Sequence, residues 1–197
     1  MAKAKGIWTP ANIVTCSRVV LMPLWLAFAE AVGGTRGTEV SWGGIAVFAF
    51  YVVLSLTDKL DGYLARSRGE VTTFGKFLDP IADKLIVIVA LCFLLEHSMC
   101  STWVLLVVVA REFLVSGLRM VVASKGVVVA ASNLGKWKTA TTMVAICGLL
   151  FVAAMPAGSV GWLKTICDVF MAAAVVLTAW SGIDYFLKGW QYLAEED

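Results

Sequence analysis

The sequence predicts an all-α integral membrane protein with six transmembrane helices. Of its 197 residues, 60% are hydrophobic and 15% are charged, and the mean hydropathy is +0.85. A soluble domain would carry about 25% charged residues. The apolar residues fall into six runs separated by turn-forming residues, and most runs approach the roughly 20 helical residues that cross a bilayer. We expect a single domain over residues 1–197.

The start of the chain and the six apolar runs define the predicted elements. Thr9 and Pro10 have the residue types of a helix N-cap and a first helical position, which allows a short interfacial helix over residues 7–16. The first span is short and contains Pro23. The six spans are predicted over residues 18–32, 42–66, 77–96, 102–123, 134–155 and 162–187.

Basic residues are distributed unequally between the two ends of the spans. Most lie before the first span, between the second and third, around the start of the fifth, or after the sixth, whereas Arg36 and Lys164 lie on the opposite side. Lys and Arg concentrate on the cytoplasmic side of membrane proteins. We therefore expect a multi-pass protein of the cell membrane with both termini, and the connection between spans two and three, in the cytoplasm.

Charge and cysteine usage argue against several classes of function. The formal net charge is only +2, and no block of like charge indicates a nucleic-acid-binding tail. The five cysteines are scattered, odd in number and without a CxxC pair. Neither a disulfide framework nor a zinc site is predicted.

Four aspartates within one 26-residue stretch are the most informative feature: Asp58, Asp61, Asp79 and Asp83. Carboxylates among transmembrane segments are costly unless a cation neutralises them. The first two are three residues apart and the last two are four apart, so each pair projects from one helical face. A short connection makes spans two and three antiparallel neighbours. We expect the pairs to converge and bind two Mg²⁺ or Mn²⁺ ions, which prefer carboxylate oxygens.

Small residues and one arginine accompany the aspartates. Gly62 and Ala65 follow Asp61, and Gly75 lies one turn before Asp79, so close approach of a ligand is not blocked. Arg66 offers a bidentate fork for phosphate. This combination predicts a diphosphate pocket at the membrane surface.

The aspartates have two other interpretations. Acidic residues at span ends are commonly interfacial caps, and acids within a bundle can line an ion or proton pathway. The fixed spacing of four aspartates with Gly62, Ala65, Arg66 and Gly75 favours the metal site over both.

The spacing of these residues resembles the sequence motif of the CDP-alcohol phosphotransferases. That motif is D-x2-D-G-x2-A-R-x8-G-x3-D-x3-D, and every defined position is matched between Asp58 and Asp83. Three further stretches extend the resemblance over essentially the full length, namely residues 12–18, 110–119 and 135–139. The resemblance implies an enzyme that transfers a phosphatidyl group from CDP-diacylglycerol to an alcohol and releases CMP.

The resemblance also implies roles for individual residues. The four aspartates would bind the two metal ions, and Asp83 would in addition take the proton of the acceptor hydroxyl. Arg18, on the N-terminal side, is a further candidate for holding the nucleotide and diphosphate. The residues expected to hold CDP-diacylglycerol surround the aspartates, and they are Gly62, Ala65, Arg66, Thr72, Gly75 and Asn12.

In the branch of the family that this chain resembles, the acceptor is glycerol 3-phosphate, whose phosphate needs cationic partners. Arg111 is costly inside span four, and Arg119, eight residues later, shares its face to within about 80°. We expect Arg111, Arg119 and Lys136 to form the acceptor-phosphate site. The alternatives are that Arg111 pairs with a buried acid, Glu112 or Asp168, and that Lys136 only sets the orientation of span five.

Other functions stay open at this level. The cations of spans four and five favour a phosphorylated acceptor over serine, but only the resemblance separates glycerol 3-phosphate from inositol phosphate. A transporter or channel with an acidic site is the competing class. The resemblance further implies a homodimer surrounded by membrane lipid, with no nucleic acid as partner.

Overall fold

The computed structural model describes residues 9–32, 38–67, 72–124 and 133–194, with the exception of the side chains at positions 11, 58–67, 76, 133, 136 and 191–194. These residues form six α-helices and, within the described ranges, no β-strand. The helices α1 to α6 run in chain order over Pro10–Val32, Trp42–Ser67, Thr73–Glu96, Thr102–Ser124, Asn133–Ala154 and Gly161–Ala194. The predicted all-α, six-helix membrane protein is confirmed.

Three of the described helices are both long and apolar enough to cross a membrane. The apolar windows are Asn12–Val32 of α1, Trp137–Ala154 of α5 and Gly161–Trp190 of α6. In α2 the apolar portion is Trp42–Thr57, which ends immediately before the aspartate motif begins. α3 and α4 are not in this set because charged residues interrupt their apolar stretches, among them Asp79 and Asp83 of α3 and Arg111 and Glu112 of α4.

The first helix differs from the predicted first span. α1 begins at Pro10 and continues without interruption to Val32, so residues 10–16 belong to the long helix and not to a separate interfacial helix. The predicted start signal is confirmed, because the Asn12 N–H donates a hydrogen bond to Thr9 Oγ1 at 3.3 Å. Polar residues in the first turns had moved the predicted start of the span later along the chain, yet these side chains are buried.

α1 packs against both α2 and α3, whereas α2 and α3 contact each other much less over their described residues. The two were expected to be direct neighbours along the bundle. Trp25 explains the arrangement, since it is fully buried and its indole N–H donates to the Val47 carbonyl at 2.9 Å. Its ring also contacts Tyr51 of α2 and Phe93 of α3, with centroids 5.5 and 5.6 Å apart. α1 therefore sets the relative position of α2 and α3.

The second half of the chain is joined to the first through α5. α5 packs most extensively against α6, which also contacts α4. At the end of α5, the Ala154 carbonyl accepts a hydrogen bond from the Ser41 N–H at 2.9 Å, just before α2 begins. A methyl group on Gly44 would lie 2.9 Å from the Ala154 side chain, so α2 and α5 approach closely there. All six helices contribute to one apolar core, and the C-terminal halves of α4 and α6 form a second, smaller cluster.

The connection between α3 and α4 folds back onto the end of α3. The Met99 N–H donates to the Leu94 carbonyl at 2.8 Å, and the Cys100 thiol reaches the Leu91 carbonyl at 3.5 Å. Ser98 takes a positive φ of 55° to make this reversal. The predicted break at His97 and Ser98 is confirmed, and it leaves Cys100 partly shielded.

Candidate active site

Asp79 and Asp83 lie one turn apart near the start of α3. Thr72 caps this helix, and its Oγ1 accepts the Gly75 N–H at 3.0 Å. Both aspartates are exposed, and the Asp83 side chain keeps 50% of its accessible surface. Two of the four predicted metal ligands are therefore on one face of α3 and open to a ligand.

Three buried polar side chains of α1 contact this start of α3. We call Asn12, Thr15 and Arg18 the α1 polar stripe; they are spaced by three residues and are only 3%, 1% and 1% exposed. Asn12 and Thr72 exchange hydrogen bonds at 2.8 and 3.0 Å. Because each stripe residue is three positions from the next, all three share one helical face.

The other two stripe residues contact the aspartates themselves. Thr15 Oγ1 donates to Asp79 Oδ1 at 2.9 Å. Arg18 Nη1 donates to Asp83 Oδ1 at 2.7 Å, which is also an ion pair. A buried guanidinium requires such a partner, because an uncompensated charge in a low-dielectric interior is strongly unfavourable. The α1 polar stripe thus fixes one oxygen of each α3 carboxylate.

Gly75 has a packing role that sequence analysis did not anticipate. It is buried, and a methyl group at this position would lie 2.7 Å from Asn12 Oδ1 and 3.2 Å from Thr72 Oγ1. The absence of a side chain therefore lets α1 approach the start of α3. The expected contact of Gly75, Thr72 and Asn12 with CDP-diacylglycerol stays a prediction.

The α2 half of the motif is described only in its backbone. Asp58, Asp61, Gly62, Ala65 and Arg66 lie in the last turns of α2, and their side chains are outside the described part of the chain. The convergence of the two aspartate pairs is therefore still a prediction.

The described side chains fit half of a divalent-metal site. Asp79 and Asp83 supply hard carboxylate oxygens one turn apart, which suits Mg²⁺ or Mn²⁺. Among the described side chains, no group of three or more His, Cys, Asp or Glu residues gathers within metal-binding range. The predicted site also includes Asp58 and Asp61 at the end of α2, and metal binding by the four aspartates stays a prediction.

A second polar cluster includes Lys84, the residue that follows Asp83 in α3. We call it the Glu112 cluster, and it consists of Lys84, Arg111, Glu112, Ser116 and Lys138. Lys84 of α3 donates to Ser116 Oγ, and Lys138 of α5 donates to Glu112 Oε1. Arg111 Nη1 donates to the same Glu112 oxygen at 3.0 Å. These contacts tie α3, α4 and α5 together around one carboxylate.

The Glu112 cluster carries an excess of positive charge. Lys84, Arg111 and Lys138 all interact electrostatically with Glu112, so three cations face one anion. The Arg111, Glu112 and Lys138 side chains are only 13%, 14% and 11% exposed. Arg111 Nε is buried and has no hydrogen-bond partner among the described residues. Such a site favours an additional anion, since buried unpaired donors and charges are costly.

The predicted acceptor-site residues have different surroundings. Arg111 forms an ion pair with Glu112, one of the two acids that the sequence offered as its partner, and not with Asp168. Arg119 is exposed and lies against α6, where its Nε donates to the Tyr185 hydroxyl at 2.9 Å and its guanidinium stacks 5.0 Å from the ring centroid. The side chain of Lys136 lies outside the described residues. Their joint binding of phosphate stays a prediction.

Asp168 and Asp184 of α6 each pair with a lysine of their own helix. Lys164 Nζ donates to Asp168 at 2.6 Å, and Lys188 Nζ donates to Asp184 at 2.8 Å. Both pairs have the i,i+4 spacing that stabilises a helix surface. Neither aspartate contacts the residues of the candidate site through these bonds.

Comparison with known proteins decides the family. The family model for CDP-alcohol phosphatidyltransferase matches residues 8–180, a range that includes α1 to α5, both aspartate pairs and the Glu112 cluster. The chain belongs to the CDP-alcohol phosphatidyltransferase family. The family expectation drawn from the aspartate motif is confirmed.

Several curated relatives match most of the length of the chain. A CDP-diacylglycerol–glycerol-3-phosphate 3-phosphatidyltransferase of Bacillus subtilis is 38% identical over 187 residues, covering 92% of this chain and 95% of that protein. A protein of the same name from Shigella flexneri is 35% identical over 179 residues, covering 88% and 91%. A probable phosphatidylglycerophosphate synthase of Mycobacterium tuberculosis is 38% identical over 178 residues, covering 90% and 80%.

Four residues that the fold brings to the candidate site were not predicted as site residues from the sequence: Thr15, Lys84, Glu112 and Lys138. Thr15 and Arg18 follow Asn12 at intervals of three, and such polar spacing in an apolar helix is a readable signal of a polar face. Glu112 was considered only as a partner that would neutralise Arg111. Nothing in the local sequence indicates that Lys138, and not Lys136, reaches Glu112, since this depends on how α4 and α5 pack.

Proposed function

We propose that this chain transfers the phosphatidyl group of CDP-diacylglycerol to glycerol 3-phosphate, giving phosphatidylglycerophosphate and CMP. The names of its relatives support this reaction over most of the chain. The observation that carries the proposal is one of geometry. Two exposed carboxylates lie in the same part of α3 as Lys84, which belongs to a largely buried cluster with two positive charges in excess. A metal-dependent diphosphate site and a site for an anionic acceptor would thus both use residues from this part of α3.

We propose that Asp58, Asp61, Asp79 and Asp83 hold two Mg²⁺ or Mn²⁺ ions. When bound, such ions neutralise a diphosphate and stabilise the negative charge that develops on the departing CMP. Arg66, Gly62 and Ala65 would border the nucleotide and diphosphate from α2. Thr72, Gly75 and Asn12 would support the same pocket from the start of α3 and α1.

In the proposed reaction Asp83 is the general base. Its carboxylate accepts the proton of the acceptor hydroxyl, and the resulting oxygen nucleophile forms a bond to the phosphorus that carries diacylglycerol. The bond between that phosphorus and the bridging oxygen breaks, and the electron pair leaves with CMP. Asp83 then returns its proton to solvent. The half-exposed side chain of Asp83 is compatible with both proton transfers.

We propose that the acceptor's phosphate binds at the Glu112 cluster. Lys84 follows Asp83 directly in α3, so an acceptor whose phosphate contacts this cluster would present its hydroxyl near the base. Arg111 Nε, which lacks a partner among the described residues, is a donor available to a phosphate oxygen. Arg119 and Lys136 would form the outer part of the same site. Glu112 would keep Arg111 and Lys138 in place between turnovers.

The site is proposed to face the cytoplasm, where glycerol 3-phosphate and CMP are soluble while both lipids stay in the bilayer. The excess of basic residues at that end of the helices supports this orientation. A homodimer is likewise proposed. Cysteine accessibility in intact vesicles tests the orientation, and the mass of the detergent-solubilised particle tests the dimer.

The decisive experiment measures CMP release by the purified protein in detergent with CDP-diacylglycerol. The acceptor panel contains glycerol 3-phosphate, inositol phosphate and serine, each with Mg²⁺, with Mn²⁺ and with EDTA. We expect release with glycerol 3-phosphate and a divalent ion, and no release with EDTA. Preference for inositol phosphate would assign a different acceptor to the same chemistry. The absence of CMP with every acceptor would refute the enzyme function.

The variant Lys138→Gln tests the acceptor site within this assay. Loss of one charged hydrogen-bond donor should raise the KM for glycerol 3-phosphate by about 10-fold or more, because such a bond contributes about 1.5–3 kcal/mol. The KM for CDP-diacylglycerol should change little. The matched control is Lys188→Gln, which removes an exposed lysine of α6. Equal effects of both variants would contradict the proposed acceptor site.

A further inference from the structure

Arg18 makes the shortest described contact to the proposed base. Its side chain is 1% exposed, lies within α1, and donates from Nη1 to Asp83 Oδ1 at 2.7 Å. The Asp83 side chain is 50% exposed, so the guanidinium covers the bundle side of the carboxylate and leaves another side facing outward. We propose that Arg18 is a positioning residue that sets the orientation of the Asp83 carboxylate for the transfer reaction.

A purely structural tie between α1 and α3 does not require a buried guanidinium. Asn12 and Thr15 already connect the two helices through neutral side chains, at Thr72 and at Asp79. A charged arginine within a membrane helix is far more costly than either of them. Its planar, charge-assisted hydrogen bond, however, fixes the direction of a carboxylate better than a hydroxyl does. Among the described contacts, this charge-assisted hydrogen bond is made to Asp83.

Because Arg18 is positively charged, its removal should change metal affinity in a direction that distinguishes the two roles. A cation beside Asp83 opposes the binding of divalent cations by the same carboxylates, through Coulomb repulsion in a partly buried site. If Arg18 only helped to assemble a metal site, its removal would weaken metal binding. If Arg18 orients the base, its removal lowers turnover while the affinity for Mn²⁺ stays the same or increases.

The inference rests on the proposed function, and one set of variants separates the two. Arg18→Gln removes the charge and keeps a hydrogen-bonding side chain, whereas Arg18→Lys keeps the charge and loses the planar fork. For each variant we would measure kcat and the KM for glycerol 3-phosphate from CMP release. Mn²⁺ affinity follows from the electron paramagnetic resonance signal of free Mn²⁺, and the unfolding midpoint in detergent from Trp fluorescence.

For Arg18→Gln we expect kcat to fall by about 10- to 100-fold, the range that corresponds to one charge-assisted hydrogen bond. The KM for glycerol 3-phosphate should change by less than about 3-fold, and Mn²⁺ should bind at least as tightly as to the wild type. Arg18→Lys should recover part of kcat. If Arg18→Gln does not fold, Arg18→Lys alone should show the reduced kcat with normal KM and Mn²⁺ affinity.

The control for general loss of α1 packing is Trp25→Phe, which removes a buried α1–α2 hydrogen bond away from the aspartates. It should lower the unfolding midpoint and leave kcat unchanged. If kcat, Mn²⁺ affinity and the unfolding midpoint all fall together in the Arg18 variants, Arg18 only holds α1 and α3 together, and the inference is overturned. Wild-type kcat in Arg18→Gln would also overturn it. Absence of CMP from the wild type would instead refute the proposed function, and this inference with it.

Discussion

Removing the Glu112 carboxylate should destabilise the protein more than removing any of its cationic partners. Glu112→Gln leaves Lys138 and Arg111 buried without their counter-charge, and breaking a buried pair in this way costs about 3–5 kcal/mol. Lys138→Met should cost less, because Glu112 still accepts a hydrogen bond from Arg111 at 3.0 Å. The two substitutions share one contact, so their effects should not add. We expect the double variant to lose about 0.5–3 kcal/mol less unfolding free energy than the two single variants lose when their losses are added.

A double-mutant cycle in detergent micelles measures this coupling. Unfolding by added dodecyl sulfate, followed by Trp fluorescence, gives the change in unfolding free energy for the wild type, both single variants and the double variant. The matched control is the cycle Asp184→Asn with Lys188→Met, an exposed i,i+4 pair of α6, whose coupling should stay below about 1 kcal/mol. Additive effects at Glu112 and Lys138, or a coupling no larger than that of the control pair, would refute the buried cluster.

Three further variants test the packing around the site. Gly75→Ala places a methyl group 2.7 Å from Asn12 Oδ1, so it should lower the unfolding free energy by roughly 1 kcal/mol and reduce CMP release; adding Asn12→Ala should recover part of the stability but not the activity. Trp25→Phe loses the hydrogen bond to the Val47 carbonyl and should cost about 1–3 kcal/mol in the same unfolding assay. Burial and the neighbouring Cys92 raise the pKa of the Cys100 thiol from 9.0 to about 11. A variant that keeps Cys100 as its single cysteine loses the contribution of Cys92 and keeps that of burial, the larger of the two. Because only the thiolate reacts, this thiol should alkylate more slowly at pH 8 than a thiol of pKa 9, and its rate should continue to rise above pH 9. A rate that levels off near pH 9 would contradict the burial.

Sequence patterns predicted the helices well because membrane spans are defined by length and hydropathy. The predicted spans 42–66 and 102–123 agree with α2 and α4 to within one residue at each end. The predicted start of the first span was wrong because Asn12, Thr15 and Arg18 make the first turns of α1 less apolar. These residues are polar because they face α3, and hydropathy cannot distinguish a polar face turned inward from a segment outside the membrane.

The chemistry of the site was predictable only where residues are close in the sequence. Asp79 and Asp83 share a face because of helical spacing alone, and the motif that contains them identified the family. Contacts between residues far apart in the sequence could not be predicted from helical spacing. The pairs Arg18–Asp83 and Lys138–Glu112 depend on how α1, α4 and α5 rotate and pack, and the tertiary contacts that decide this leave no local pattern.

The separation of 65 residues between Arg18 and Asp83 has a consequence for biosynthesis. At about 5–20 residues per second, the ribosome needs several seconds to add Asp83 after Arg18 has been made. During that interval the first helix enters the translocon or bilayer with a guanidinium whose eventual partner does not yet exist. An arginine in the first turns can extend toward the lipid headgroups, so the start of α1 can stay at the membrane interface. Insertion of α3 would then draw α1 to its final depth, so this part of the site would assemble only after the third helix has inserted.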